Sequence, residues 1–315
     1  MTLTQLNAFV LVARLGSVRA AAGALGVSEP AVSQALTALR NYLGDQLITR
    51  GPAGMTLTPG GSRLLATASQ IVVLGAEAHA AVRAAQGAPE QLRIVATPTF
   101  AEFVVGPLVE AFSRRFPGPV EVSTGVAASG EHAVLVANRL ADVAFGPGVT
   151  GENEMPIVSE PIFKYRLAVV AGGHGRPQGA PRQWRWLVDP NATDPATATA
   201  RLLARLGVPD GNIRVLPSLT AAWAAAADGA GVAPAIEHLI SAQLRRGELS
   251  IVEMPGLPMD ECWYATFLER EYRSSAAGAL RRFLGTPDAM QLMRSPAAGV
   301  PPSRFKPPVY VTIWS

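Results

Sequence analysis

The N-terminal segment constrains this chain most, because three apolar stripes of helical spacing follow one another there, separated by glycines. Leu3, Leu6, Phe9, Val10 and Ala13 recur on one helix face, and Gly16 ends that helix. Ser17 can cap a second helix, whose inner face is Val18, Ala21, Ala22 and Leu25. The small Ala21 and Ala22 let a neighbouring helix approach closely. Gly26 and Val27 make a tight turn. Ser28 is a good N-cap for a third helix, and Pro30 is tolerated in a first turn whose N–H groups need no intrahelical partner. Val32, Leu36, Leu39 and Leu43 form the buried stripe of that third helix.

The opposite face of the third helix carries Ser33, Gln34, Thr37, Arg40 and Asn41. These short or planar polar groups suit a recognition helix, which reaches base edges or phosphates without a large apolar surface. Residues 47–50 read as a strand, 51–54 as a turn and 55–57 as a returning strand. That is a small wing, with Arg50 placed to meet phosphate or the minor groove. The alternative is a plain three-helix bundle with a solvated polar face. Charge separates the two only slightly, with Arg14, Arg19, Arg40 and Arg50 set against Glu29 and Asp45.

The run Phe9-Val10, Gly16-Ser17, Ala20-Ala21-Ala22, Leu25, Val27-Ser28-Glu29-Pro30-Ala31-Val32-Ser33, Leu39, Leu43-Gly44, Leu47-Ile48-Thr49-Arg50 and Leu57-Thr58-Pro59-Gly60-Gly61 resembles the winged helix-turn-helix of LysR-type transcriptional regulators. The spacing is intact along the whole run, so the match is more specific than a short motif. The resemblance implies a DNA-binding domain over residues 1–58, with Ser28, Glu29, Ala31, Ser33, Gln34, Thr37, Arg40 and Arg50 at the DNA. It implies double-stranded promoter or operator DNA and RNA polymerase as partners. Glu29 departs from the family, where a glutamine is more usual. A carboxylate accepts from cytosine N4 but repels phosphate, so either the operator differs or Glu29 serves the helix N-terminus.

Thr58 can cap a long helix with Pro59 at its first position. Leu64, Ala68, Ile71, Gly75, Ala78 and Val82 alternate spacings of four and three, an a/d seam widened by Leu65 and Val72. Packing against the chain's own body would explain this stripe. The resemblance favours a homodimer, which would present two recognition helices to two half-sites and can pair into a tetramer. Residues 59–89 are then a linker and dimerisation helix with a hinge at Gly87-Ala88-Pro89.

From Gln91 strands and helices alternate. Strands are expected at 92–96, 120–122, 143–145, 166–171, 186–188, 213–216, 232–233, 249–252 and 264–268. Helices are expected at 101–116, 131–140, 197–206, 218–227, 235–246 and 274–284. This order implies a largely parallel sheet and two α/β lobes, with the chain crossing between them near 159–161 and 265–267. The expected fold is an N-terminal all-α winged helix-turn-helix followed by an α/β two-lobe, periplasmic-binding-protein-like effector domain. The effector domain spans 90–285 (lobe I 90–160 and 267–285, lobe II 161–266), and 286–315 is a tail. Ligands in such sheets bind beyond the carboxyl ends of strands. By the resemblance, a small-molecule effector would meet Thr97, Thr99, Phe100, Gly146, Asn191, Thr193 and Pro234. Ordinary helix capping would also account for Thr99. Family effectors are often small organic anions, but Asp189 and Asp194 leave the preferred ligand charge open.

Other classes find little support. With 49% hydrophobic and 16% charged residues, wholesale disorder is excluded. The net charge of +3 suits a phosphate-bearing partner without requiring one. His79, His132, His174 and His238 have no metal-ligand spacing, and no nucleophile–base pair or cofactor fingerprint is present. No catalytic role, metal or cofactor is therefore expected. Cys262, the single cysteine, rules out an internal disulfide switch. The N-terminus lacks the pattern of a secretory signal, and no run approaches a bilayer span, so a cytoplasmic location without membrane contact is expected. A small-molecule-binding protein, or an α/β enzyme with an accessory DNA domain, is the alternative. The first fails on the N-terminal motif and the second on the absence of a catalytic constellation. In the Pro-rich tail, 309–314 reads as a strand that could add to a sheet edge.

Overall fold

Helix α1 (Leu3–Leu15) starts with a reciprocal cap, the Thr2 hydroxyl accepting from the Gln5 N–H and the Gln5 amide from the Thr2 N–H. Helix α2 (Val18–Leu25) is capped by Ser17 and α3 (Glu29–Leu43) by Ser28. All three helices end on a left-handed glycine, at Gly16, Gly26 and Gly44. Leu6, Phe9, Val10, Val32, Leu36 and Leu39 close the core between them, whereas Leu43 is left 40% exposed. A short antiparallel ribbon follows, β1 (Ile48–Gly51) with β2 (Gly54–Leu57). The computed structural model describes residues 1–51, 54–149, 156–173 and 177–295; His174 and the strand expected at 309–314 lie outside them.

The ribbon is tied to α4 (Pro59–Ala85) at its base. Asp45 Oδ1 accepts from the Leu47 N–H (2.6 Å) and from the Thr58 hydroxyl (2.8 Å), and Thr58 Oγ1 accepts from the Gly61 N–H. Those bonds hold the Asp45 carboxyl below its ordinary pKa. Gly61 is required here, because a Cβ would lie 2.1 Å from the Leu47 carbonyl oxygen.

Helix α4 divides the seam expected of it. Ala68 and Val72 are buried against α1 and the helix-turn-helix core, and Gly75 faces Leu3. Leu64 and Ile71 are half-buried, Ala78 is exposed, and Leu74 and Val82 are 62% and 58% exposed. One face therefore serves the chain itself while a second apolar stripe faces outward. The segment Pro59–Arg83 is also long and apolar enough to cross a membrane, contrary to the sequence expectation. Leu64, Leu65 and the run Ile71-Val72-Val73-Leu74, with alanines between and after them, produce that result.

In the larger domain, β3 (Glu90–Ala96) leads through α5 (Pro98–Phe100), a π-helical turn (Ala101–Val105) and α6 (Gly106–Arg115) to β4 (Val120–Val126). Helix α7 (Ser129–Ala137) then returns the chain to β5 (Val143–Gly146). β3 pairs in parallel with β4 and β5, as βαβ crossovers require. β6 (Ile157–Gly172) is far longer than expected and crosses between lobes. Lobe II continues with β7 (Trp186–Val188), α8 (Ala198–Leu206), β8 (Ile213–Val215), α9 (Leu219–Ala227), β9 (Ala233–Ile236), α10 (Ser241–Arg246) and β10 (Leu249–Ile251). β11 (Met259–Leu268) returns to lobe I and precedes α11 (Ser275–Leu284) and α12 (Pro287–Arg294).

The sheet is mixed rather than largely parallel. β6 pairs antiparallel with β9, β10 and β11, and β11 antiparallel with β5. The reason is that β6 and β11 traverse both lobes in opposite directions. Their register shifts where Trp263 faces Phe163 but Tyr264 faces Pro161, and this bulge marks the crossing. The residues expected to begin the tail instead form α12, which buries Ala289 and Met293 in the core.

Replacing Gly61 with alanine should destabilise the fold by about 2 kcal/mol or more, since the clash is with backbone that cannot rotate away. Urea denaturation measures it, and an unchanged midpoint would refute the close approach.

Candidate functional site

Two surfaces carry the polar residues singled out by the sequence. On the first, Ser28, Glu29, Ala31, Ser33, Gln34, Thr37 and Asn41 are exposed along α3. Ser28 Oγ accepts from the Ala31 N–H, and the Thr37 hydroxyl donates to the Ser33 carbonyl at 2.9 Å, whereas the Gln34 amide makes no hydrogen bond among the described residues. Arg40 differs from expectation. It is half-buried and donates through Nη2 to the Ile48 carbonyl (3.2 Å), bracing the wing from behind. Arg50 on β1 is exposed, as are Arg19 on α2 and Arg63 on α4, and none of the three has an ion-pair partner among the described residues. Arg19 entered the sequence reading only as a charge, and Arg63 not at all. Both are exposed cations, the kind of group that meets phosphate.

The second surface is a partly open cleft between the lobes, with a cavity of about 60 Å³. Thr97 follows β3, Thr99 lies in α5, Asn191 follows β7 and Pro234 lies within β9; all four line it. The remaining expected residues do not. Phe100 is fully buried, stacked on Phe145 (centroids 4.6 Å apart) and edge-on to Trp263 (5.1 Å), so it supports the floor. Gly146 is buried behind the wall, where a Cβ would meet Thr97 and His132 at 2.7 and 2.8 Å. Thr193 is exposed and donates to the Pro190 carbonyl. Sequence reasoning missed Tyr165, Thr199, Glu261, Cys262 and Trp263, which also line the cleft. Four of these sit on β6 and β11, and only the length of those strands would have revealed them.

Three polar links cross the cleft. Asn191 Nδ2 donates to Thr99 Oγ1 (2.7 Å) and to Asp189 Oδ2 (2.8 Å), and Thr99 Oγ1 reaches the same carboxylate at 3.4 Å. Ser129 donates through its N–H and its hydroxyl to Asp194. Thr220 donates to Glu102 at 2.5 Å. Burial pushes the Asp189 carboxyl up to about 6, against the lowering effect of the Asn191 bond. His132, wholly buried behind Gly146, is held neutral with a pKa of about 4, because desolvation outweighs the Ala127 backbone and the Asp194 charge. Among the described residues, no group of three or more His, Cys, Asp or Glu is placed to hold a metal ion.

An exposed recognition helix with a wing, joined by a long helix to a two-lobed domain with a cleft, is the build of a ligand-responsive DNA-binding regulator. The family model described as bacterial regulatory helix-turn-helix protein, lysR family, matches residues 3–62, and that of the LysR substrate binding domain matches residues 85–286. The chain belongs to the LysR family of transcriptional regulators. An uncharacterized HTH-type transcriptional regulator of Mycobacterium tuberculosis is 35% identical, with 100% of both chains covered. The HTH-type transcriptional regulator CfxR of Cupriavidus necator is 26% identical over 90% of this chain and 91% of its own. Among solved structures, the Vibrio cholerae virulence activator AphB matches at a TM-score of 0.54 with 17% identity, covering 90% of this chain and 98% of its own. ArgP from Mycobacterium tuberculosis matches at 0.54 with 22% identity, covering 89% and 94%. At such identities the structural likeness carries the fold alone.

Asp189 yields a pH test. Its folded pKa of about 6 lies above the unfolded value of 3.8, so its contribution favours the fold below about pH 4 and is lost as pH rises through 6. The stability of Asp189→Asn relative to the wild type should therefore rise by about 3 kcal/mol between pH 4 and pH 8 in urea titrations. A pH-independent difference would show that the carboxyl is not desolvated.

Proposed function

We propose that this LysR-type regulator binds promoter DNA in the cytoplasm as a dimer or pair of dimers, and that a small molecule in the interlobe cleft shifts the arrangement of its DNA-reading heads. The observation that carries the reading is the polar, solvent-facing side of α3, in a domain whose exposed Arg19 and Arg50, with Arg63 just after it in the sequence, have no ion-pair partner among the described residues. In this reading Ser33, Gln34 and Thr37 meet base edges in the major groove, Ser28, Glu29 and Ala31 approach the backbone at the helix start, and Arg50 meets phosphate or the minor groove. Arg40 orients the wing. Contact with RNA polymerase belongs to the same reading of a promoter-bound regulator. The unit boundaries are those expected from the sequence, with α12 assigned to the effector domain.

The dimer rests on the outward stripe of α4. Leu74, Ala78 and Val82 form an apolar line that no described residue covers, while the opposite side of the helix is taken by α1. Helix α7 supplies the route from ligand to DNA. Its N-terminus holds Asp194 across the cleft, and just past its C-terminus Arg139 pairs with Glu77 of α4. Opening or closing the cleft would therefore tilt a helix that touches the reading head at its far end.

Gln34→Ala should cost about 1–3 kcal/mol against the preferred operator while leaving non-specific binding unchanged, and Arg50→Ala should weaken all sequences alike and lower the salt slope by about 1. Fluorescence anisotropy over a salt series separates the two; unchanged operator preference in Gln34→Ala refutes the reading face. Leu74→Glu with Val82→Glu should convert the assembly to monomers in sedimentation, and a retained dimer would move the interface elsewhere.

A further inference from the structure

The cleft is unusual in its charge. Glu261 is the one carboxylate among the residues that line it, and Glu102, Asp189 and Asp194 lie behind the lining in the links between the lobes. Only Glu261 has a cation, Arg201, which grips it at 2.7 and 2.8 Å. No Lys, Arg or His is among the residues lining the cleft. The helix ends that would ordinarily attract an external anion are already supplied from within the chain. Asp194 Oδ2 accepts from the Ser129 N–H at the start of α7, and Oδ1 accepts from the Ala196 N–H just before α8.

Two further observations point to a ligand. Thr97, 5% exposed, and Thr199, 9% exposed, line the cleft from opposite lobes, and neither hydroxyl has a hydrogen-bond partner among the described residues. A hydroxyl that makes no bond within the protein and faces a cleft is free to bond a polar group of a ligand. Asn191 spends its amide nitrogen on Thr99 and Asp189, so the group it has left for the cleft is the acceptor Oδ1. The Glu261 carboxylate is a second acceptor. The rest of the lining, Leu167, Ile236 and Trp263, is apolar.

We infer that the cleft selects a small molecule with an apolar body that donates hydrogen bonds through hydroxyl or amino groups and carries no net negative charge. This rests on the reading of the cleft as the effector site and names the chemistry of its ligand. An anion would meet the Glu261 carboxylate with no Lys, Arg or His among the lining residues, and Asp194 already holds the start of α7. A donor finds Asn191 Oδ1, Glu261 and the two free threonine hydroxyls.

The test uses the full-length protein and three probes of one size, benzyl alcohol, benzylamine and benzoate, titrated by saturation-transfer NMR. Benzyl alcohol and benzylamine should bind at least tenfold more tightly than benzoate. Thr97→Val with Thr199→Val should weaken both at least fivefold, with an unchanged melting temperature confirming the fold. Asp194→Ala should gain benzoate binding by freeing the start of α7. Benzoate binding as tightly as benzyl alcohol in the wild type would overturn the charge inference and leave the effector cleft standing. Binding of all three probes that ignores both threonines, or binding of none at millimolar concentration, would overturn the cleft reading and this inference with it.

Discussion

The antiparallel pairing of β6 with β11 is the constraint on which the effector domain depends. In lobe I β11 lies between β5 and β6, and both long strands run on into lobe II, where β6 also carries β9 and β10. The lobes are thus joined by two continuous strands rather than by flexible loops. The register shift at Trp263 and Tyr264 is the point of weakness in that pair, because a bulge disrupts the ladder and bends the strand locally. Tyr165, Glu261, Cys262 and Trp263 stand at or beside the shift and also line the cleft. The same irregularity that joins the lobes therefore supplies the cleft floor.

Helix α7 extends that logic toward the DNA-binding head. It is a nine-residue rod anchored at both ends by polar contacts, Ser129 to Asp194 across the cleft and Arg139 to Glu77 on α4. Between them Val134, Leu135 and Val136 are buried in a cluster continuous with the helix-turn-helix core. A close-packed contact of this kind transmits displacement without absorbing it. The linker helix takes part at the same time, since Ala68, Val72 and Gly75 press on α1. The reading head is consequently fixed by two helices, one of which ends at the cleft.

The N-terminal fold was legible because its signals are local. Ser17, Ser28 and Thr58 cap the helices assigned to them, and Gly16, Gly26 and Gly44 end theirs. The α4 seam was legible only in part, because one stripe of small residues can serve an internal partner, and the actual outward line of Leu74 and Val82 overlaps it by a few positions. Arg40 shows a tertiary effect: its position on the helix predicts solvent, but it is half-buried and bonded to the Ile48 carbonyl of the wing. β6 runs well past the strand expected at 166–171, because Pro161 sits at a bulge where its missing N–H is harmless. Phe100 and Thr193 follow or precede the right turns yet point into the core or the solvent, a distinction that spacing alone does not encode.

The cleft also carries an energetic cost that the rest of the domain does not need. Asp189 is 2% exposed and has hydrogen bonds but no cation, and Glu102 and Asp194 are held the same way. Removing a carboxylate from water without a counter-charge weighs against the folded state, and hydrogen bonds alone offset only part of it. A purely structural role would be met as well by apolar residues at these positions. Their common feature is that each accepts a bond from the opposite lobe, or holds the side chain that does. The closed arrangement is therefore maintained by bonds that depend on the local charge and hydration of the cleft. A ligand that alters either one acts on the same few contacts that set the angle between the lobes, and by linkage it shifts their equilibrium by its difference in affinity for the two arrangements.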